Sequence, residues 1–435
     1  MNTLISTLVM VWLQWLFDAI CPSVNNFAVS NWVSMKILWF FKNSLTVAER
    51  FNSGWEAEFK KNFPVGSQAQ IKLPQEWLVT SGLAYQEQGI QRLVTTVNLD
   101  QIRNVHFGYD SYEKLVKMER SEAELDKAYF RPAGYQLAQQ VDSDAAAWAS
   151  LYTNNVVGTL GTDSTTIDFA LAADQVLFNL ACPEGTDRWL ILSSGLMRSY
   201  VKNNVTQFNP QKAIADMFRD GVLGHAAGAN WVRSNSLIKH TCGTFPTHGV
   251  TVTGAGQSGA SLVVTGTAND TINPGDKFNI ASVNAVNPRT RATTPLGLKQ
   301  FTYTGGTSFS FTGGNDTISI SPAIFGPGSQ YQNVDALPGN GAALTAFPGT
   351  SSPSGVSGTV GFLLSEYAFL KAFGKFENPT AVEHAEDAED PETGAYISLV
   401  VAYDQYNRKI TNRHDMCYGF GNAKTDGGAV AVVGA

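Results

Sequence analysis

A chain of 435 residues that is 43% hydrophobic is long enough for two or three packed units and too apolar for global disorder. Charged residues reach only 15% and glycine numbers 40. Against the roughly 25% charge of ordinary soluble domains, this implies β-rich structure and some surface that meets other protein. The net charge of −7, with no run of five basic residues, excludes a protein that grips nucleic acid by neutralising phosphates. Merely enclosing nucleic acid needs no basic patch.

Residues 1–17 carry no charge and include Trp12, Trp15 and Phe17, but the first basic residue is Lys36. The positive region of a secretory signal is therefore missing. Asp18 and Pro22 interrupt the stretch short of the roughly 20 residues of a spanning helix, so no membrane role is expected. Residues 1–54 are expected to form an apolar arm with helical pieces, packing on a neighbouring subunit. Ile37, Leu38, Phe41, Leu45 and Ala48 follow helical spacing, with Gly54 as the stop. From Pro64 to Tyr109 the runs Gln70–Leu73, Trp77–Thr80 and Leu93–Val97 predict a long β-hairpin around a polar turn at Ser81–Gly89.

The strongest helical signal runs from about Tyr112 to Tyr152. Ser121 and Glu124 fit a capping box, Leu125, Tyr129, Leu137, Val141, Ala145 and Trp148 form an apolar stripe, and Pro132 predicts a kink or a break. Beyond it, Ile167–Asn179 and Pro210–Arg219 look helical and Trp189–Leu192 reads as a buried strand. Composition then shifts: residues 241–358 hold 19 of the 40 glycines, eight charged residues and no Glu. Short Thr/Val/Ile runs between Gly and Asn turns predict a β-barrel or sandwich there. A helical pattern follows at Ser365–Phe373, then an acidic stretch from Glu383 to Glu392 and closing strands at Ala395–Tyr403 and Ala429–Val433.

Gly254-Ala-Gly256-Gln-Ser-Gly259 matches the dinucleotide fingerprint, with Asp276 further on. That chemistry demands a helix after the third glycine, whereas Ala260–Thr265 reads as a strand, so a hairpin connection is expected. His240, Cys242 and His248 supply three possible zinc ligands but no fourth lies near. Cys417 beside His414 and Asp415 imitates an activated thiol in a stretch that reads as core. The acidic run lacks EF-hand spacing and reads as solvated surface. Cys21, Cys182, Cys242 and Cys417 contain no C-x-x-C pair, which points to a reducing compartment rather than a disulfide framework. No catalytic, cofactor-binding or metal residue is assigned, no cofactor is expected, and the chain is not read as an enzyme.

The collinear order of these segments resembles the tailed-bacteriophage major capsid proteins of the Hong Kong phage fold, in the podophage branch with an inserted β-barrel. Phe218–Gly221, Ala227-Gly228, Trp231–His240, Thr251–Gly254, Pro274–Lys277, Ser319–Pro322, Tyr331–Val334, Gly341–Leu344 and Tyr418–Phe420 carry the likeness, which spans about residues 37–435. It implies an α+β capsid fold divided into an N-terminal arm (1–54), an extended hairpin loop (55–109) and a spine helix with peripheral domain (110–155). An axial domain with peripheral strands (156–240 and 351–435) and an inserted all-β barrel (241–350) complete it. The function implied is a structural coat protein that self-assembles into pentameric and hexameric capsomers of an icosahedral virion shell. That shell encloses double-stranded DNA without sequence-specific binding, and is built in the host bacterial cytoplasm with scaffolding and portal proteins. A decoration protein is left open. The competing reading, a secreted β-rich adhesin or carbohydrate-binding surface protein, requires an export signal that the sequence lacks.

Overall fold

A computed structural model describes residues 26–53, 68–72, 94–110, 126–164, 166–183, 187–204, 224–347, 353–376, 384–390, 393–407, 409–424 and 426–435, with positions 75, 77, 79, 82, 83 and 87–90 between the first strands. The chain opens with α1 (Asn26–Lys42), a 3-10 turn (Ala48–Arg50), β1 (Gln68–Lys72), β2 (Val94–Asn98) and β3 (Gln101–Asp110). A π-helical stretch (Asp126–Phe130) leads into α2 (Arg131–Tyr152), β4 (Asn155–Gly158), α3 (Asp168–Asn179), β5 (Arg188–Leu192), α4 (Ser194–Asn204), β6 (His225–Ala226), β7 (Ala229–Arg233) and β8 (Lys239–Thr241). Then come β9 (Val250–Val252), β10 (Gly259–Gly266), β11 (Thr271–Ile272), β12 (Lys277–Val286), β13 (Thr293–Tyr303), β14 (Phe309–Ser310), β15 (Asn315–Ile324) and β16 (Ala343–Phe347). The last strands are β17 (Ser357–Ser365), β18 (Phe369–Gly374), β19 (His384–Glu389), β20 (Tyr396–Asp404), β21 (Lys409–Asn422) and β22 (Ala429–Val433). Two compact units result, one from the described parts of 1–44, 101–138 and 373–417, the other from those of 45–100, 139–372 and 418–435.

In the smaller unit, β19, β20 and the first part of β21 form an antiparallel sheet, and β3 pairs with β21. Tyr396–Leu399 are buried on both faces, and α1 packs on β19 and β20. The helix ends by local chemistry: Asn43 Nδ2 donates to the Trp39 carbonyl at 2.8 Å and Ser44 Oγ to that of Phe40 at 2.7 Å. These bonds satisfy carbonyls that a helix end leaves open, so α1 stops at Lys42, well before Gly54. Gly134 admits the close approach of α1, since a β-carbon there would lie 2.8 Å from the Ile37 carbonyl oxygen. Ile37, Phe41, Val47 and Ala48 are fully buried in their own chain. The expected arm is thus core from about residue 37 to 51, while residues 1–25 lie outside the described part.

In the larger unit a seven-stranded sheet runs β4-β22-β17-β5-β7-β6, with β8 beside β17. Every residue of β22 is buried, as a central strand covered on both faces requires. Phe169 of α3, Tyr200 of α4 and Trp231 of β7 close one face, with Tyr200 and Trp231 rings 5.0 Å apart. Between β8 and β17 the chain leaves to form a closed barrel, β10-β15-β13-β12-β16-β9. Val252, Leu262, Val264, Phe278, Ile280, Phe301, Ile318, Ile320 and Leu344 alternate inward and are buried, which fills a small barrel. Thr241 pairs with Ser357 and His240 with Gly358, so the block departs and returns on adjacent strands. Because the barrel closes its own hydrogen bonds and core, residues 241–350 expressed alone are expected to give dispersed amide resonances. A collapsed spectrum would show that the block depends on its host.

Several expectations need correction. Ser365–Phe373 is the end of β17, a turn and the start of β18. Phe369–Ala372 are buried on both faces, and a short, uniformly apolar run does not separate strand from buried helix. Among the described residues the hairpin is the β1–β2 pair, and β3 pairs with β21 instead. Trp77 and Val79 have no regular structure. Pro132 neither ends nor splits the described helix; it sits in the first turn of α2, where proline is tolerated, and the π-helical stretch precedes it. Of the acidic stretch, His384–Glu389 is strand β19. The expected capping box at Ser121 and the helix at Pro210–Arg219 lie outside the described residues.

Candidate functional site

The Gly254–Gly259 motif connects β9 to β10, with Val252 opposite Val264. Its glycines hold positive φ of +92°, +74° and +97°, which side chains resist. Because Ala260–Thr265 is a strand, no helix N-terminus exists to meet a pyrophosphate. His240 and His248 bind different carboxylates, Asp276 at 2.8 Å and Asp270 at 2.9 Å. Burial, and then Asp276, push the Cys242 thiol pKa up, away from the thiolate a metal wants. Among the described residues no three His, Cys, Asp or Glu side chains form a metal cluster. His414 and Cys417 are three apart on one strand and point to opposite faces, while Asp415 accepts from Arg413 Nε at 2.7 Å. In the acidic stretch Asp387 of β19 pairs with Lys375, and Asp390 just after it with Lys42, each at 3.3 Å.

What this region provides is a seat for the barrel. Asp276 is fully buried and accepts from His240, from the Gly243 amide at 3.0 Å and from the Asn273 amide at 2.7 Å. Lys277 Nζ donates at 3.1 Å to the carbonyls of Ser150, in the last turn of α2, and Gly275, a cation at the negative end of the helix dipole. Burial brings its pKa down to about 8, with Asp276 opposing. Buried Lys299 pairs with Asp426. Gln300 Oε1 accepts from the Val156 amide at 2.7 Å, and Thr302 Oγ1 donates to the Thr153 carbonyl at 3.0 Å. A cavity of about 20 Å³ lined by Val156, Leu160, His240, Cys242, Asp276 and Lys277 has room for one water. Except for Asp276, read only as a spacing match, and His240 and Cys242, read only as possible metal ligands, these residues escape sequence analysis because single polar side chains on strands announce no partner.

The second feature is a surface. At the base of the β1–β2 ribbon, Ile71 and Val97 pack on Leu370 and Ala372. The Gly419-Phe-Gly421 run of β21 makes this possible, since β-carbons there would lie 1.8 Å from the Asn98 carbonyl oxygen and 2.4 Å from Val97 Cγ2. Beyond the base, apolar side chains face water: Trp77, Leu83, Val79 at 94% and Ile90 at 75% exposure. Leu171 and Phe178 of α3, seven apart and so on one face, are also exposed. Apolar side chains left exposed this way between β1 and β2 mark a candidate contact surface.

Comparison with known proteins fits a surface-built function. Residues 23–353 match the family described as P22 coat protein, gene protein 5. No curated protein matches the chain. Similar solved structures include one titled Mycobacterium phage Che8, with 11% identity, 89% of this chain and 90% of that chain covered and a TM-score of 0.43. A capsid of the cyanophage P-SCSP1u has 12% identity, 85% and 84% coverage and a TM-score of 0.40. A virus-like particle from Pyrococcus furiosus has 7% identity, 92% and 97% coverage and a TM-score of 0.38. Since the family match spans most of the chain, the protein belongs to the P22 coat protein family and is a major capsid protein of a tailed bacteriophage.

Proposed function

We propose that the chain is the repeating subunit of pentamers and hexamers in an icosahedral shell around double-stranded phage DNA. In this reading it assembles in the bacterial cytoplasm with scaffolding and portal proteins, touches no membrane and catalyses nothing. The seven-stranded sheet with α3 and α4 is assigned to the axial domain, the barrel to the inserted domain, and residues 55–109 to the extended loop that reaches over a neighbouring subunit, with β3 at its end paired to β21. The observation that carries this is the ribbon, with a base buried against its own unit and Trp77, Val79, Leu83 and Ile90 left exposed. Burying each such side chain against another subunit is worth about 1.5–3 kcal/mol, a gain unavailable to a monomer.

Leu83→Asp with Ile90→Asp is therefore expected to leave the thermal midpoint within a few degrees of wild type and to abolish shells, as sedimentation velocity reports. Normal shells from the double variant would show that the ribbon is not an assembly contact.

A further inference from the structure

His414 lies on β21 in the smaller unit, and its side chain is completely buried. Neither ring nitrogen has a hydrogen-bond partner. The ring stacks on Phe107 of β3, centroids 5.9 Å apart at 29°, and Phe107 in turn meets Tyr129 and Phe130 of the π-helical stretch. Leu399 of β20 stands directly opposite His414 and is buried too. A neutral imidazole tolerates such a wall. An imidazolium does not, because a charge without an acceptor in an apolar site costs several kcal/mol.

Among the described residues, the charged groups around it offer no counter-ion. Arg413 and Asp415, its strand neighbours, point to the other face and bond one another at 2.7 Å. On β3, Arg103 donates to Gln101 at 3.4 Å and His106 lies near Asn104, while Lys127 of the π-helical stretch is exposed. Glu386 of β19 stands opposite Leu399, two strands from His414 and so roughly 9–10 Å away. On α1, Lys42 is taken by Asp390, and Lys36 adds only positive charge.

We infer that His414 makes the smaller unit acid-labile: protonation of this one buried ring loosens the sheet of β3, β20 and β21 while the sheet around β22 stays closed. Burial holds the His414 pKa down at about 4, against about 6.5 in an unfolded chain. The sign follows directly. Between these values the open state binds more protons, so protection is complete above about pH 6.5, falls as pH drops towards 4 and levels off below it. At pH 4.5 opening is favoured about 70-fold over pH 7.5 from this group alone.

Hydrogen exchange of the full-length chain from pH 7.5 to 4.5, corrected for intrinsic rates, tests this against His414→Leu, which keeps the volume and cannot titrate. In wild type, amides of 101–110 and 409–417 should lose protection by that factor relative to 429–433, and in the variant they should not. If Leu does not fold, His414→Gln supplies the same non-titrating comparison. Equal acid loss in wild type and variant, or loss of 429–433 in step with 409–417, would overturn the inference.

Discussion

Replacing Asp142 with alanine is expected to cost about 3–5 kcal/mol of stability, because it strips the acceptors from a turn with no other way to satisfy its amides. Asp142 sits on α2 and is buried. One carboxylate oxygen accepts from the Thr46 amide at 2.7 Å and its hydroxyl at 2.8 Å, and the other from the amides of Val47 at 3.1 Å and Ala48 at 2.8 Å. Lys371 Nζ continues the network to the Ala48 carbonyl at 3.0 Å. Burial pushes the Asp142 pKa up while these four bonds oppose it. Asp142→Asn, which keeps one acceptor oxygen, should lose roughly half as much. Urea midpoints of the two variants decide the matter, and an alanine variant within about 1 kcal/mol of wild type would mean that water takes over the carboxylate's role.

Gly275→Val should be comparably severe, at roughly 2–5 kcal/mol. Asn273-Pro274-Gly275-Asp276 is a turn closed by the Asp276 amide on the Asn273 carbonyl at 2.9 Å. Gly275 holds φ +90°, the conformation that a type II turn demands at its third position. A β-carbon would stand 3.5 Å from the His240 ring and 3.6 Å from the Ser150 carbonyl oxygen. One methyl fits, but the two branches of valine press on the His240–Asp276 pair that seats the barrel. Gly275→Ala should therefore show only the backbone part, about 1–2 kcal/mol. Soluble yield and thermal midpoints of both variants test the distinction; equal losses would place the whole effect in the backbone.

The parts legible in sequence are those whose period and punctuation agree. Ala429–Val433 reads as a closing strand and Trp189–Leu192 as a buried one because strand and tertiary environment ask for the same residues. The barrel announced itself through glycine turns between Thr/Val/Ile runs, as at Gly254–Gly259 and Pro274-Gly275. Sequence failed where the deciding contact is remote. Phe369–Ala372 are apolar on both faces, so period carries no information. The pairing of β3 with β21 joins segments some 300 residues apart, and no local pattern encodes it. Asp142 sits one position from Val141 in the apolar stripe and looks like a solvated residue until the turn at Thr46–Ala48 arrives. The candidate surface was legible only as an expected hairpin; the seating of its base depends on the glycines at 419 and 421, more than 300 positions away, which admit Asn98 and Val97.

The most direct measurement of shell building is electron microscopy of the full-length chain after expression, alone and with the scaffolding protein of the same phage, supported by sedimentation velocity. Closed particles tiled by five- and six-fold capsomers, sedimenting far ahead of a single subunit, are the predicted result. A monodisperse monomer under both conditions, at concentrations where the folded state is intact, would contradict it.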